Sequence, residues 1–347
     1  MSVHEIIAPR PGEVIIRPAG AVAPAADDVL VGLTTSLIST GTEVRCVLGD
    51  IDADTNWAEW VRYPFALGYS AAGRILAVGD AVRTLRVGQR VCGALAHRSQ
   101  AIAAAGALTA IPDDISDTEA AWVVLARIAQ VGVRRAALQL GERVVIIGAG
   151  IIGQLLTQFA ALQGAAQVIV IDVAPRRLAL ALAHGATDAL ECDVADARPA
   201  LQRCTAGALA DVVFDATGEP AVLARATRLV RPLGRVVLIG DTTTPTRQTI
   251  GTRVVADSVA ILGIHATMVP AEATPFNPWT PHAMDALFFR YLQRGRMRVA
   301  DLVTHRYAPD LAPVVYGQLL EDRREFGGVV FDWPGAATDA VMPPAAR

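Results

Sequence analysis

Up to about residue 118 the hydrophobic positions fall in short β-prone runs broken by Gly, Pro and Asp. Val29-Leu30-Val31-Gly32-Leu33 follows a turn-like Ala25-Ala26-Asp27-Asp28. The segments 73–79, 88–93 and 107–112 repeat the pattern. Several short strands at this spacing predict a small β-barrel or sandwich-like domain. Asp117 is then expected to cap an apolar helix through Ala120 to Ala137, a natural domain joint.

From Glu142 the period changes. Val144-Val145-Ile146-Ile147 and Val168-Ile169-Val170-Ile171 read as buried strands, with Ile152 to Leu162 helical between them. A helix over 176–184, strands over 211–215 and 235–239, a helix over 220–230 and a strand over 260–264 continue the alternation. Apolar strands alternating with helices predict an α/β fold, a doubly wound parallel sheet covered on both faces. After about Val269 come a Pro-rich loop, a helix around 284–293 and a last strand, Gly328-Val329-Val330-Phe331-Asp332. The expected division is 1–120, 121–267 and 268–347, the last segment returning to the first domain.

Composition narrows this picture. The chain has 347 residues, 52% of them hydrophobic, and a formal net charge of -3. That supports buried cores and argues against a nucleic-acid partner, which selects a strongly basic face. All 31 basic residues are Arg, so Schiff-base chemistry, a phosphate-loop lysine and a Tyr/Lys relay are excluded. Cys46, Cys92, Cys192 and Cys204 form no CxxC, so neither a disulfide framework nor a four-cysteine zinc lobe is expected. A reducing, cytoplasmic setting fits this usage. Val144 to Ile171 is uncharged and long enough to span a bilayer, but its glycines and glutamines favour strand-turn-helix-strand, and no membrane partner is expected.

Gly148-Ala149-Gly150-Ile151-Ile152-Gly153 is GxGxxG between an apolar strand and a helix, with Asp172 ending the next strand. Gly148 permits the tight turn, Gly150 lets backbone approach a pyrophosphate and Gly153 allows close helix-strand packing. Unpaired N–H groups at the helix start would meet the phosphates. Asp172 suits ribose hydroxyls and repels a 2′-phosphate, so NAD(H) is expected ahead of NADP(H). Arg176 and Arg177 are where a phosphate could be met, or simply a solvated helix start.

With these residues in view, the chain resembles the medium-chain dehydrogenase/reductases of the alcohol-dehydrogenase-like superfamily. The resemblance rests on Leu67-Gly68-Tyr69-Ser70-Ala71-Ala72-Gly73, the Gly79 to Val91 run and the GAGIIG fingerprint. His184-Gly185-Ala186-Thr187-Asp188, Asp215-Ala216-Thr217-Gly218 and Leu233-Gly234-Arg235-Val236-Val237 add to it. It implies a GroES-like barrel on the substrate side, a Rossmann domain for the cofactor and a reaction cleft between them. Thr40, Tyr69 and a position near Ala126 stand where that family places its three catalytic zinc ligands. Tetrahedral zinc needs three protein ligands, so a zinc-independent enzyme is expected, similar to a zinc-less branch that includes bacteriochlorophyllide dehydrogenases and sugar- or polyol-directed proteins.

The resemblance then implies Tyr69 as proton donor or acceptor, Thr42 as the hydroxyl that orients the substrate oxygen and Thr40 as a pocket wall. Trp57 and Trp60 are candidates for the pocket or for barrel cover. Arg45 stands where relatives carry a relay His, but its high pKa leaves phosphate or ribose binding, or a solvated surface. Val173 and Arg177 are expected beside the adenine ribose, with Ala216 and Thr217 near it. Ile239, Gly240 and Asp241, and Ile264, His265 and Ala266, are expected at the nicotinamide carboxamide. His97 resembles the family's barrel histidine. The function expected is hydride transfer between NAD(H) and a secondary alcohol or ketone. Reduction of a conjugated double bond, redox-neutral use of the nucleotide and a non-enzymatic role are the alternatives. A small-molecule substrate and a homodimer or homotetramer complete the expectation.

Overall fold

A computed structural model describes residues 3–20 and 22–334. Six parallel strands form one sheet in the order Asp188–Glu191, Gln167–Asp172, Arg143–Ile147, Ala210–Asp215, Val230–Leu238, Ala260–Gly263. Val144 to Ile147 and Val168 to Ile171 are buried, as continuous apolar strands covered on both faces must be. The helices Ile151–Gln163 and Pro175–Ala183 supply part of that cover. Strand order reverses beside Arg143–Ile147, and such a reversal opens a crevice at the carboxyl ends of the strands. The uncharged stretch from Val144 is thus strand, turn, helix and strand. Among the described residues, no helix is long and apolar enough to cross a membrane.

The rest of the chain builds the other domain. A seven-stranded sheet runs Val303–Tyr307, Gly328–Asp332, Asp28–Ile38, Ala71–Val78, Arg90–Gly93, Thr109–Ala110, with Gln100–Ala104 also paired to Asp28–Ile38. A second sheet joins Ile15–Ala19, Val3–Ala8 and Phe65–Ala66. Gly328–Asp332 lies antiparallel to the end of Asp28–Ile38, and the Trp333 indole N–H donates to Ser36 Oγ at 2.8 Å. The end of the described chain therefore completes the sheet that the beginning starts.

The joint differs from the sequence expectation. Ser116, not Asp117, is the cap: its Oγ accepts from the Glu119 N–H while the Glu119 carboxylate reaches back, a capping box. Asp117 instead accepts from Thr34 Oγ1 at 2.7 Å and from Arg90 Nε at 2.8 Å, tying the joint to the barrel. The single expected helix is two, Asp117–Ala120 and Val123–Arg135, broken at the fully buried Trp122. The helix expected over 220–230 shrinks to Val222–Ala226, and the strand over 107–112 to Thr109–Ala110. Helices Thr42–Leu48, Asn56–Trp60 and Ala312–Glu321 were not expected.

Candidate active site and nucleotide cradle

The glycine turn has the geometry its spacing demands. Gly148 has φ +93°, which favours glycine. A Cβ on Gly153 would stand 1.9 Å from the Gly148 carbonyl oxygen, so only glycine lets the helix seat this close to the strand. A Cβ on Gly150 would meet nothing within 4 Å. Gly150 caps the 13-residue helix Ile151–Gln163 with no side-chain acceptor for the first-turn N–H groups. Open space and unclaimed donors at the positive end of a helix dipole fit a pyrophosphate. Asp172 closes the neighbouring strand, and its two oxygens accept from the Ala149 N–H (2.6 Å) and the Ala174 N–H (2.9 Å). Beside it Val173 is exposed.

Arginines bridge the crevice. Arg45 donates to the Thr217 carbonyl at 3.3 Å and pairs with Glu219 at 2.8 Å. Arg323 donates to the Thr40 carbonyl at 3.4 Å and reaches the same Glu219 at 3.4 Å. Arg177, expected beside the adenine ribose, turns its guanidinium to the carbonyls of Arg323 and Phe326. Desolvation lowers the pKa of both Arg177 and Arg323, and for Arg323 the neighbouring Arg45 adds to the shift. Thr217 also anchors Asp215, donating its N–H and Oγ1–H to one carboxyl oxygen at 2.9 and 2.6 Å. Arg323 and Glu219 were not singled out from sequence, because they meet Thr40 and Arg45 only in the fold.

Three hydroxyls converge on the barrel side. Tyr69 Oη donates to Ser39 Oγ at 2.7 Å and stands 3.5 Å from Thr42 Oγ1. Desolvation pushes the Tyr69 pKa up to about 12, against the lowering effect of those two neighbours. Behind them lies the fully buried Glu43. Its carboxylate accepts from the Ser39 N–H (2.7 Å), from His97 Nε2 (3.0 Å) and from the Tyr316 hydroxyl. His97 Nδ1 in turn contacts Ser36 Oγ at 2.8 Å. Ser39 and Glu43 flank Thr40 and Thr42 in sequence, but neither was singled out from sequence as a site residue. Thr40 is buried, and Ser70 Oγ is spent on the Ala121 carbonyl at 2.6 Å.

The insert between the barrel motifs clamps the far side. The Trp57 indole N–H donates to Asp241 at 2.9 Å and Asn56 Nδ2 to the same oxygen at 3.2 Å. Asp52 accepts from the Thr246 N–H (2.8 Å) and hydroxyl (2.6 Å), and Arg247 pairs with Asp50 at 2.8 Å. Trp57 is thus buried at a domain contact. Trp60 is half exposed and packs edge-on against Phe65. Gly240 packs so closely that a Cβ would lie 2.3 Å from the Gly218 nitrogen. The Ile264 N–H bonds the Leu238 carbonyl, while His265 is exposed with Nδ1 2.7 Å from Thr267 Oγ1. Tyr69, Ala216 and Ile264 all pack against one apolar cluster that includes Ile151 and Ile239.

The chain matches the family model described as alcohol dehydrogenase GroES-like domain over residues 26–110, and that described as zinc-binding dehydrogenase over 152–279. It is 30% identical over 212 residues to a putative D-xylulose reductase of Agrobacterium fabrum, a match covering 52% of this chain and 60% of that protein's length. An Escherichia coli oxidoreductase/dehydrogenase of unknown specificity superposes with TM-score 0.80 at 22% identity, over 96% of this chain and 99% of that one. A putative zinc-binding dehydrogenase of Sinorhizobium meliloti, bound to NADP, gives 0.78 at 20% identity over 96% and 99%. At such identities the structures speak for the fold alone.

These matches correct the expectation that no zinc is involved. The matched family model and the similar dehydrogenases point to zinc-dependent enzymes, with NAD(P) as the nucleotide. The expectation was drawn from three aligned positions, and those report only on the usual place for ligands. The described residues do not themselves fit a zinc ion. No three His, Cys, Asp or Glu side chains come together among them, and the Glu43–His97 pair is taken up by protein partners.

Proposed function

This chain belongs to the medium-chain dehydrogenase/reductase superfamily, and from that premise we propose that it is an NAD(P)-dependent oxidoreductase of secondary alcohols and ketones. The observation that carries this reading is the Tyr69 hydroxyl, held by Ser39 beside Thr42 in the cleft between barrel and glycine turn. When bound, the nicotinamide supplies the hydride. The chain's own task is to place the nucleotide and manage the proton on the substrate oxygen. The first-turn N–H groups after Gly150 hold the pyrophosphate, with Arg45 and Arg323 on the rim. Asp172 faces the ribose hydroxyls. Arg177 is committed to carbonyls and Arg176 lies 3.9 Å from Glu325, so the Asp172 carboxylate weighs for NAD(H) as the preferred nucleotide.

Tyr69, with its raised pKa, is protonated at neutral pH and serves as a hydrogen-bond and proton donor. An alkoxide forming from a ketone is more basic than the phenol and takes its proton, while Thr42 orients the oxygen and Thr40 shapes the wall. Carbonyl reduction is therefore the favoured direction at neutral pH, and alcohol oxidation gains as pH rises towards about 12. The similarity to a D-xylulose reductase supports ketoses and polyols as the substrate class.

The test is oxidation of NADH and NADPH by purified protein over a panel of ketoses, simple ketones and enones, with products identified. An alcohol product, faster with NADH, is expected. A saturated ketone from an enone would replace this reading with double-bond reduction. Tyr69→Phe should lower turnover about 10²-fold with NADH affinity unchanged; full turnover would remove Tyr69 from the mechanism.

A further inference from the structure

Away from the cleft, the helices Val123–Arg135 and Pro281–Gln293 wall a cavity of about 610 Å³, closed on another side by the loop that carries Trp279. Its lining includes Phe159, near the far end of the helix Ile151–Gln163. At 1.5 Å per residue this lies roughly 12 Å along that helix from the glycine turn. We propose that the cavity binds a small organic anion with an apolar body and an N–H or O–H donor.

Two polar side chains, one helical turn apart on the same face, carry the proposal. Gln130 is 3% exposed. Its Nε2 donates to the Met284 carbonyl at 2.9 Å, and its Oε1 is buried without a partner among the described residues. Arg134 lays its guanidinium 3.3 Å from the centroid of the Trp279 ring, and among the described residues its Nε is also buried without a partner. No carboxylate among the described residues perturbs it; its titratable neighbour is Tyr291, and burial lowers its pKa.

A half-buried cation without a counter-ion is costly, and stacking on an indole offsets only part of that cost. Stacking covers the face of the guanidinium and leaves its edge free. That edge is the side from which a carboxylate makes paired, charge-assisted hydrogen bonds. Gln130 Oε1, one turn back, accepts from a donor on the ligand. Phe159, Leu138 and Leu287 line the space between as apolar walls.

Isothermal titration with indole-3-acetate, which carries a carboxylate, an aromatic body and one N–H, tests this. Saturable binding of one molecule per chain is expected, unchanged by excess NADH. Arg134→Gln, and replacement of the probe by neutral tryptophol, should each weaken binding at least about 10-fold. Leu287→Trp fills the cavity and should abolish binding with the cation intact, which decides the matter if Arg134→Gln fails to fold. No saturable binding, equal binding by wild type and Arg134→Gln, or a Leu287→Trp variant that still binds would each overturn the proposal. So would a change in sedimentation of Leu287→Trp without probe binding to wild type, which would make the face a contact between copies.

Discussion

Asp215 shows how a single buried carboxyl ties the nucleotide site to pH. It is 1% exposed, and desolvation raises its pKa to about 6 despite the two hydrogen bonds from Thr217. An unfolded Asp titrates near ~3.9. Between those values the folded chain keeps a proton that the unfolded chain has lost. This group's contribution is therefore fully present below about pH 4, falls as pH rises through about 6 and is level above. The span is about 3 kcal/mol at most. Urea midpoints of wild type and Asp215→Asn, compared at about pH 5 and about pH 7.5, should show a decline that the Asn variant lacks. Parallel curves would mean that Asp215 is ionised throughout. Residues of this kind were only half legible in the sequence. Asp215-Ala216-Thr217-Gly218 stood out as a motif, while burial and partners arise from chain segments far away.

At the scale of elements, the turn between Arg143–Ile147 and Ile151–Gln163 offers a contrast between two glycines. Gly153→Ala puts a methyl group 1.9 Å from a backbone oxygen that cannot move aside without lifting the helix. A loss of about 1–3 kcal/mol in urea unfolding is expected. Gly150→Ala adds its methyl to open space at a φ of -68° that alanine accepts, so folding should be preserved. NADH binding should weaken, because the methyl occupies the pyrophosphate's approach. The opposite ranking in unfolding would contradict the packing described here. The same segment explains what the sequence made readable. Parallel strands buried on both faces are unbroken apolar runs, and the glycine spacing is local, so Arg143–Ile147, Ile151–Gln163 and Gln167–Asp172 were legible to within a residue or two, while the half-exposed edge strand Asp188–Glu191 and the helix Ala197–Cys204 were not expected. Thr42–Leu48 is too short for its apolar positions to mark a helical period. Ser116 and Asp117 are both good caps, and only the pull of Arg90 and Thr34 on Asp117 decides between them.

At the scale of the whole molecule, a sheet edge and a clamp between the two domains stand out. Ala260–Gly263 ends the six-stranded sheet with one edge unpaired among the described residues, and Val255, Met268 and Phe276 are 88%, 79% and 99% exposed. An open strand edge flanked by apolar side chains favours pairing with a second copy. Sedimentation should give a multiple of the 36.5 kDa chain, and Ile261→Lys should lower it. A 36.5 kDa species for the wild type would remove the edge as a contact. Inside the chain, Asp50, Asp52, Asn56 and Trp57 hold the loop from Asp241 to Arg247. The Asp50–Arg247 pair is exposed and adds little, so the part-buried Trp57–Asp241 bond contributes more than that pair to holding this side of the cleft.

The pairing of Gly328–Asp332 with Thr35–Ile38 also sets an order of events during synthesis. Every strand of the nucleotide-binding sheet lies between residues 143 and 263, so that sheet can close while later residues are still inside the ribosome. The barrel was begun earlier, yet it must wait with Leu37 and Ile38 uncovered until the strand ending at Asp332 emerges. The domain whose strands come first in the sequence is thus the one whose sheet is completed last.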